Sequence, residues 1–354
     1  MPIVTDAELG RALRQNELSP VYFLYGKEVY LSQICLQRIV EKVVQKGTEA
    51  FNLQRFDGAE LDMTSLQIAE EGMPMMAEKK CIVLMNPNLE KMRKEDFDSL
   101  LAIVKDPNPA CIFIVYVSVF EINLKKMARA RRLAEAVGKV GTAAEFAPRT
   151  QGDLVKFLKA RFQKAGIALE TPVANALIQR CGTSLEILSS ESDKLIAYKG
   201  EGAVTREDVE LVTRKSLEAS VFDLSKRMLQ NNYTGAFTLL EELYALREEP
   251  IAILGALNGA FLDLYRAKTA MLASKTAEDV AALFPSYRGK EFRIRNAFRD
   301  VSKYSVTALR GCLKILSDTD VELKSTRCDD KAAVEQAVAA ILDLSHSEGG
   351  RRIL

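Results

Sequence analysis

Val21-Tyr22-Phe23-Leu24-Tyr25-Gly26-Lys27-Glu28 is a run of aliphatic and aromatic residues that stops at a glycine, a lysine and a glutamate. Five consecutive apolar positions without polar alternation describe a strand buried on both faces, and such strands belong to parallel sheets covered by helices. Beyond the turn, Leu31, Ile34, Cys35, Ile39 and Val43 recur at helical spacing and predict a helix over 30–46. Upstream, Thr5-Asp6 can cap a helix that Pro20 ends. Downstream the alternation continues, with strands expected over 54–57, 81–85, 111–117 and 142–146 and helices over 63–70, 94–105 and 124–136. These segments make an α/β domain over 1–147.

After Pro148 no further strand pattern is found. Helices are expected over 150–165, 172–180 and 184–198, stopped by Gly166, Gly182 and Gly200, and Thr205-Arg206-Glu207-Asp208 reads as a capping box for a fourth. This small helical domain is placed at 148–216. A second helical domain follows over 217–346, with long helices over 250–272 and 305–326, and 347–354 reads as a flexible tail.

A chain of 354 residues is long enough for two or three cores. Its 49 basic and 48 acidic residues argue against nucleic-acid binding by bulk charge, so any such contact must be local. Six cysteines form no C-x-x-C pair and lie at no zinc-ligand spacing with the single histidine, His346. They read as reduced, buried thiols. No leader pattern opens the chain and no apolar run approaches the ~18 residues of a membrane span, so a soluble, cytoplasmic protein without membrane contact is expected.

The strand, loop and helix start at 21–30 is where a phosphate-binding loop would stand. That chemistry needs G-x-x-x-x-G-K-[ST], because backbone amides and a lysine must wrap the phosphates and a hydroxyl must reach magnesium. Gly26, Lys27 and Glu28 offer one glycine, an acidic residue and no hydroxyl after the lysine. The strand over 81–85 ends in Asn86-Pro87-Asn88, where a hydrolase would carry acidic residues for metal and water. Neither a histidine-based triad nor a two-metal carboxylate set stands out, and no cofactor is implied.

Two basic clusters are candidates for phosphate contact: Lys125, Lys126, Arg129, Arg131 and Arg132, and Arg288, Lys290, Arg293, Arg295 and Arg299. A solvated face is the commoner outcome for such runs. Phe292 and Phe298, beside the second cluster, read as core. The connection Glu70-Glu71-Gly72-Met73-Pro74-Met75-Met76-Ala77-Glu78-Lys79-Lys80 holds three methionines and a proline between a helix and a buried strand. Two readings of it are open: an exposed, adaptable apolar knob, or methionines folded back into the core.

The succession of the 21–28 run with Tyr30-Leu31, then Phe56-Asp57-Gly58, then Met73-Pro74-Met75-Met76-Ala77-Glu78-Lys79-Lys80-Cys81-Ile82-Val83, resembles the delta-subunit family of bacterial DNA polymerase III. The resemblance continues through Leu185, Glu186, Leu188, Glu191, Lys194-Leu195 and Tyr198. It extends over Val221-Phe222-Asp223-Leu224, Ala236-Phe237-Thr238-Leu239-Leu240, Glu248-Glu249-Pro250-Ile251, Leu254, Asp320 and Lys324. It implies a RecA-like, AAA+ type first domain without a working phosphate loop, followed by a helical lid domain and a helical collar domain.

The function implied is that of a clamp-loader subunit within a DNA-directed DNA polymerase holoenzyme, with no activity of its own. Implied partners are the beta sliding clamp, the other clamp-loader subunits (delta-prime and gamma/tau) through the collar, and primed DNA inside the assembled ring. In the resemblance, Met75 and Met76 are the apolar pair that enters a pocket of the clamp, a place where many relatives carry leucine or phenylalanine. Pro74 presents them, Met73 is counted with the wedge while a core position stays open for it, and Glu78, Lys79 and Lys80 form a polar rim. A divergent AAA+ ATPase and a helical adaptor outside replication are the alternatives.

Overall fold

In the computed structural model, residues 3–302, 304–325 and 329–350 are described, the side chains of 345–350 excepted. The chain divides into two units, Met1–Pro148 and Arg149–Leu354.

The first unit is an alternation of strand and helix: β1 (Val4–Thr5), α1 (Asp6–Arg14), β2 (Val21–Gly26), α2 (Val29–Val43), α3 (Glu49–Asn52), β3 (Leu53–Asp57), α4 (Met63–Glu71), β4 (Lys80–Met85), α5 (Lys94–Lys105), β5 (Cys111–Val117), α6 (Ala128–Val140) and β6 (Thr142–Phe146). The strands form one six-stranded sheet in the order β1-β6-β2-β5-β4-β3, with every pairing parallel. Alternate residues of the buried strands serve opposite faces. Val21, Phe23 and Tyr25 of β2 and Cys111, Phe113, Val115 and Val117 of β5 join residues of α4, α5 and α6 in one core. Tyr22, Leu24, Ile112, Ile114 and Tyr116 join residues of α1 and α2 in the other. Burying each such side chain contributes ~1.5–3 kcal/mol, which is why these runs lack polar positions.

The sequence reading holds for this architecture, with differences at element ends. The two-residue β1 and the single turn of α3 carry too little pattern to be read. Residues 123–127 form turns, so the basic helix begins at Ala128 rather than near 124, which puts Lys125 and Lys126 ahead of it.

The second unit begins with α7 (Gln151–Lys164), α8 (Thr171–Cys181), α9 (Leu185–Lys199) and α10 (Arg206–Val212). Thr150 with Asp153, and Thr205 with Asp208, form reciprocal capping boxes that satisfy first-turn amides. Its only described β pairing is an isolated bridge, Ala168 with Ala203. The chain continues through α11 (Leu217–Leu229), α12 (Tyr233–Ala245), α13 (Pro250–Leu272), α14 (Ala277–Leu283), a 3-10 turn (Pro285–Tyr287), α15 (Glu291–Asp300), α16 (Val306–Ser325) and α17 (Asp330–Gly350).

The long α13 packs against α11, α15, α16 and α17 over a core that includes Phe261, Leu264, Ile294, Leu309, Leu316 and Ile341. Phe298 packs on this core, as the sequence suggested. Cys35, Cys81, Cys111, Cys181 and Cys312 are buried and stand outside any disulfide. Cys328, the side chain of His346 and residues 351–354 of the expected tail lie outside what is described. Among the described residues, no helix is long and apolar enough to cross a membrane.

Candidate functional site

The α4–β4 connection is exposed and apolar at once. Met73, Met75 and Met76 are 80%, 55% and 92% exposed. The reading of these methionines as core is overturned, for Met73 as much as for the other two. The backbone is held away from the core on both sides: Gly72 closes α4 through its amide to the Ile68 carbonyl, and the Met75 peptide groups are bonded to Asn52.

Lys80 itself corrects the expected polar rim. It is 5% exposed, and its ammonium donates to the Ala69 and Gly72 carbonyls at the C-terminal end of α4. A cation there satisfies orphan carbonyls and complements the helix dipole. Glu78 and Lys79 remain exposed.

Three side chains that the sequence did not single out shape this region. Asn52, at the end of α3, is 1% exposed; its Nδ2 donates to the Met75 carbonyl and its Oδ1 accepts from the Met75 amide, both at 2.8 Å. Glu70, buried, accepts from the Asn108 amide at 2.7 Å, and Asn108 Nδ2 donates to the Glu70 carbonyl at 2.8 Å. The exposed apolar surface also includes Phe51, beside Asn52, and Ile68 on α4. An asparagine closing a single-turn helix ahead of a strand is the only sequence signal that marks Asn52, and it is too common to select.

At the other end of the sheet, Gly26 is the last residue of β2 and pairs with Phe146 of β6. Its φ is +138°, and a Cβ there would stand 2.3 Å from the Phe146 carbonyl oxygen, so glycine is required for strand approach. The Glu28 amide donates to that same carbonyl at 3.0 Å. Lys27 is exposed and pairs with exposed Glu121 at 2.8 Å. The glycine and the amide that would cradle a phosphate therefore serve the sheet. After β4, Asn86 Oδ1 accepts from the Ser118 and Val119 amides, tying two loops together where a hydrolase would hold metal. β4 spans about 17 Å at ~3.3 Å per residue, and it separates this end from the methionine connection.

The basic clusters divide by partner. Arg129 is turned inward: it donates to the Leu89, Glu90 and Met92 carbonyls and lies over the Phe97 ring. Lys125 and Lys126 are exposed, and so is Arg288 in the turn before α15. Arg295 pairs with Glu278 at 3.1 Å and Arg299 with Asp300 at 3.3 Å. Arg293 pairs with buried Asp263 at 2.8 Å, and Asp263 also accepts from the Tyr287 hydroxyl at 2.6 Å. Burial, then the bond to Asp263, pushes the Tyr287 hydroxyl up to about 12. Burial likewise pushes the Cys81 and Cys111 thiols up to about 12, which removes them as nucleophiles at neutral pH.

Comparison with known proteins covers both units. Residues 22–136 match the family model described as DNA polymerase III, delta subunit, and residues 218–341 match that of the DNA polymerase III delta subunit, C-terminal domain. The chain is 25% identical to DNA polymerase III subunit delta of Bacillus subtilis over 345 residues, 95% of this chain and 96% of that one. It is 24% identical over 254 residues to a probable DNA polymerase III subunit delta of Aquifex aeolicus, 70% of each chain. Among solved structures, the Bacillus subtilis DNA clamp loader delta protein superposes with a TM-score of 0.65 at 23% identity, over 96% of this chain and 100% of that one.

Proposed function

The chain belongs to the delta-subunit family of DNA polymerase III, a clamp-loader component of DNA replication, and from that premise we propose that Met75 and Met76 bind the beta sliding clamp and help to open it. The observation that carries this reading is the exposure of three methionines on a connection that is itself fastened to the fold. An exposed apolar cluster of this kind marks a surface that a partner covers. Methionine suits an irregular pocket, since its thioether stem adapts without branching.

In this proposal the subunit does no chemistry. ATP is bound and hydrolysed by sister subunits, whose closure brings the wedge to the clamp. The use of Gly26 and the Glu28 amide by β6 supports that division of labour. Burying Met76 nearly completely and Met75 by about half would contribute ~2–4 kcal/mol before ordering costs, enough to bias a two-state ring interface toward the open form. Met73 and Pro74 complete the wedge, and Glu78 and Lys79 supply a screened polar rim.

The helices of 148–216 act as the lid, and those of 217–346 as the collar that joins delta-prime and gamma/tau in the ring. Primed DNA is met inside that ring, where Lys125, Lys126 and Arg288, each exposed, are candidate phosphate contacts, with Arg295 and Arg299 available if they exchange their carboxylate partners. The site of action is the cytoplasm. Gel filtration of the chain with the sliding clamp of the same organism tests the reading: co-elution is expected, and failure of the wild-type chain to bind the clamp would overturn it.

A further inference from the structure

The α4–β4 connection is fastened at two points by buried polar side chains that take no part in sheet pairing through those groups. At its entry the Lys80 ammonium holds the Gly72 carbonyl together with that of Ala69. At its centre, both ends of the Asn52 amide are engaged by one residue, the Met75 backbone, at 2.8 Å each. This pair of bonds imitates a strand pairing and fixes both the position and the rotation of the Met75 peptide groups. The next residue, Met76, has a φ of +54°, a left-handed conformation that an unbranched L-residue seldom adopts without being held. Between and beyond the two fastenings, Met73 and Met76 stand out into solvent.

A buried asparagine and a buried lysine are expensive residues to keep unless their polar atoms are fully used. Here they are used on backbone groups of the exposed connection, and the consequence is a loop whose shape exists before any partner arrives. We propose that Asn52 and Lys80 are positioning residues that preform the methionine wedge, so that the clamp selects a conformation already populated. This rests on the function proposed above. It differs from a loop that orders on contact, because a preformed wedge loses little conformational freedom on binding and associates without waiting for a rare shape.

The test uses the full-length chain and two independent readouts. In hydrogen exchange of the free protein, the Met75 amide is expected to be protected at least tenfold relative to an unstructured peptide, and Asn52→Leu is expected to abolish that protection while β2, β4 and β5 stay protected. In surface-coupled binding kinetics with the sliding clamp, Asn52→Leu is expected to slow association about tenfold, because the competent fraction falls, and to change dissociation less than twofold. Lys80→Met, which keeps the stem and removes the donors, is expected to give the same pattern and serves where Asn52→Leu fails to fold. In a Met75→Ala and Met76→Ala background, Asn52→Leu is expected to change clamp affinity no further.

An unprotected Met75 amide in the wild-type chain overturns the proposal. So does wild-type association by variants whose 73–76 segment exchanges freely. Retained clamp affinity in the Met75→Ala and Met76→Ala variant instead overturns the assignment of the wedge, and hydrogen exchange then still decides whether the loop is preformed.

Discussion

Replacing Met75 and Met76 together by alanine separates a binding wedge from a packing element. Complete burial of a methionine side chain is worth ~1.5–3 kcal/mol. Met76 is 92% exposed in the free chain and Met75 is 55% exposed, so binding can still bury almost all of the first and about half of the second. Alanine keeps the Cβ, and holding the longer side chains costs part of this gain in rotamer freedom, so the net loss expected on substitution is about 1–2 kcal/mol. That corresponds to roughly 5- to 30-fold weaker clamp binding. The effect is expected to fall mainly on Met76. Because neither side chain is buried in the free protein, folding stability should move by no more than about 0.5 kcal/mol. Calorimetric titration against the sliding clamp measures the first quantity and a denaturant melt the second. A loss of affinity under threefold, or a melting temperature lowered by several degrees, would refute the reasoning.

Equilibrium binding of labelled ATP with magnesium to the full chain is expected to show no saturable site, and Lys27→Ala to leave that result unchanged; magnesium-dependent binding would contradict the reading of Gly26 and Glu28 as sheet residues. In the second unit, Asp263→Ala removes the acceptor of both the Tyr287 hydroxyl, which keeps only its bond from Arg266, and the Arg293 guanidinium. Since Arg293 is partly exposed, a loss of about 2–3 kcal/mol is expected, with a fall of roughly 5–10 °C in the melting temperature of that unit by calorimetry. The Cys81 and Cys111 thiols, pushed up to about 12 by burial against ~8.5 when unfolded, contribute stability that is complete below pH ~8.5 and declines as pH rises toward 12. Denaturant midpoints should therefore fall from pH 8 to pH 10, and iodoacetamide should modify these thiols at pH 8 no faster than the chain unfolds.

Much of the architecture was legible because its signals are local. The unbroken apolar runs at 21–25, 81–85 and 111–117 can only be strands covered on both faces, and glycine, proline and Thr-x-x-Asp patterns mark the helix ends after 148. The absent phosphate-loop glycines and hydroxyl are likewise a matter of residues in a row. The methionine connection was legible as composition but not as exposure, since apolar residues beside a buried strand usually pack.

By itself, then, the sequence determined the succession of elements, the family resemblance and the departure of Gly26-Lys27-Glu28 from a phosphate-loop pattern, all of which depend on neighbours along the chain. Only the tertiary structure decided that Met73 is outside rather than in the core, that Lys80 is inside rather than on a rim, and that Arg129 faces the protein's own carbonyls. It also brought Asn52 to Met75, 23 residues away. The physical reason is common to Lys80, Arg129 and Asn52. Where a side chain ends up depends on which backbone groups are left unpaired when separate elements meet, and an orphan carbonyl at a helix end or loop has no signature in sequence until the fold sets a donor beside it.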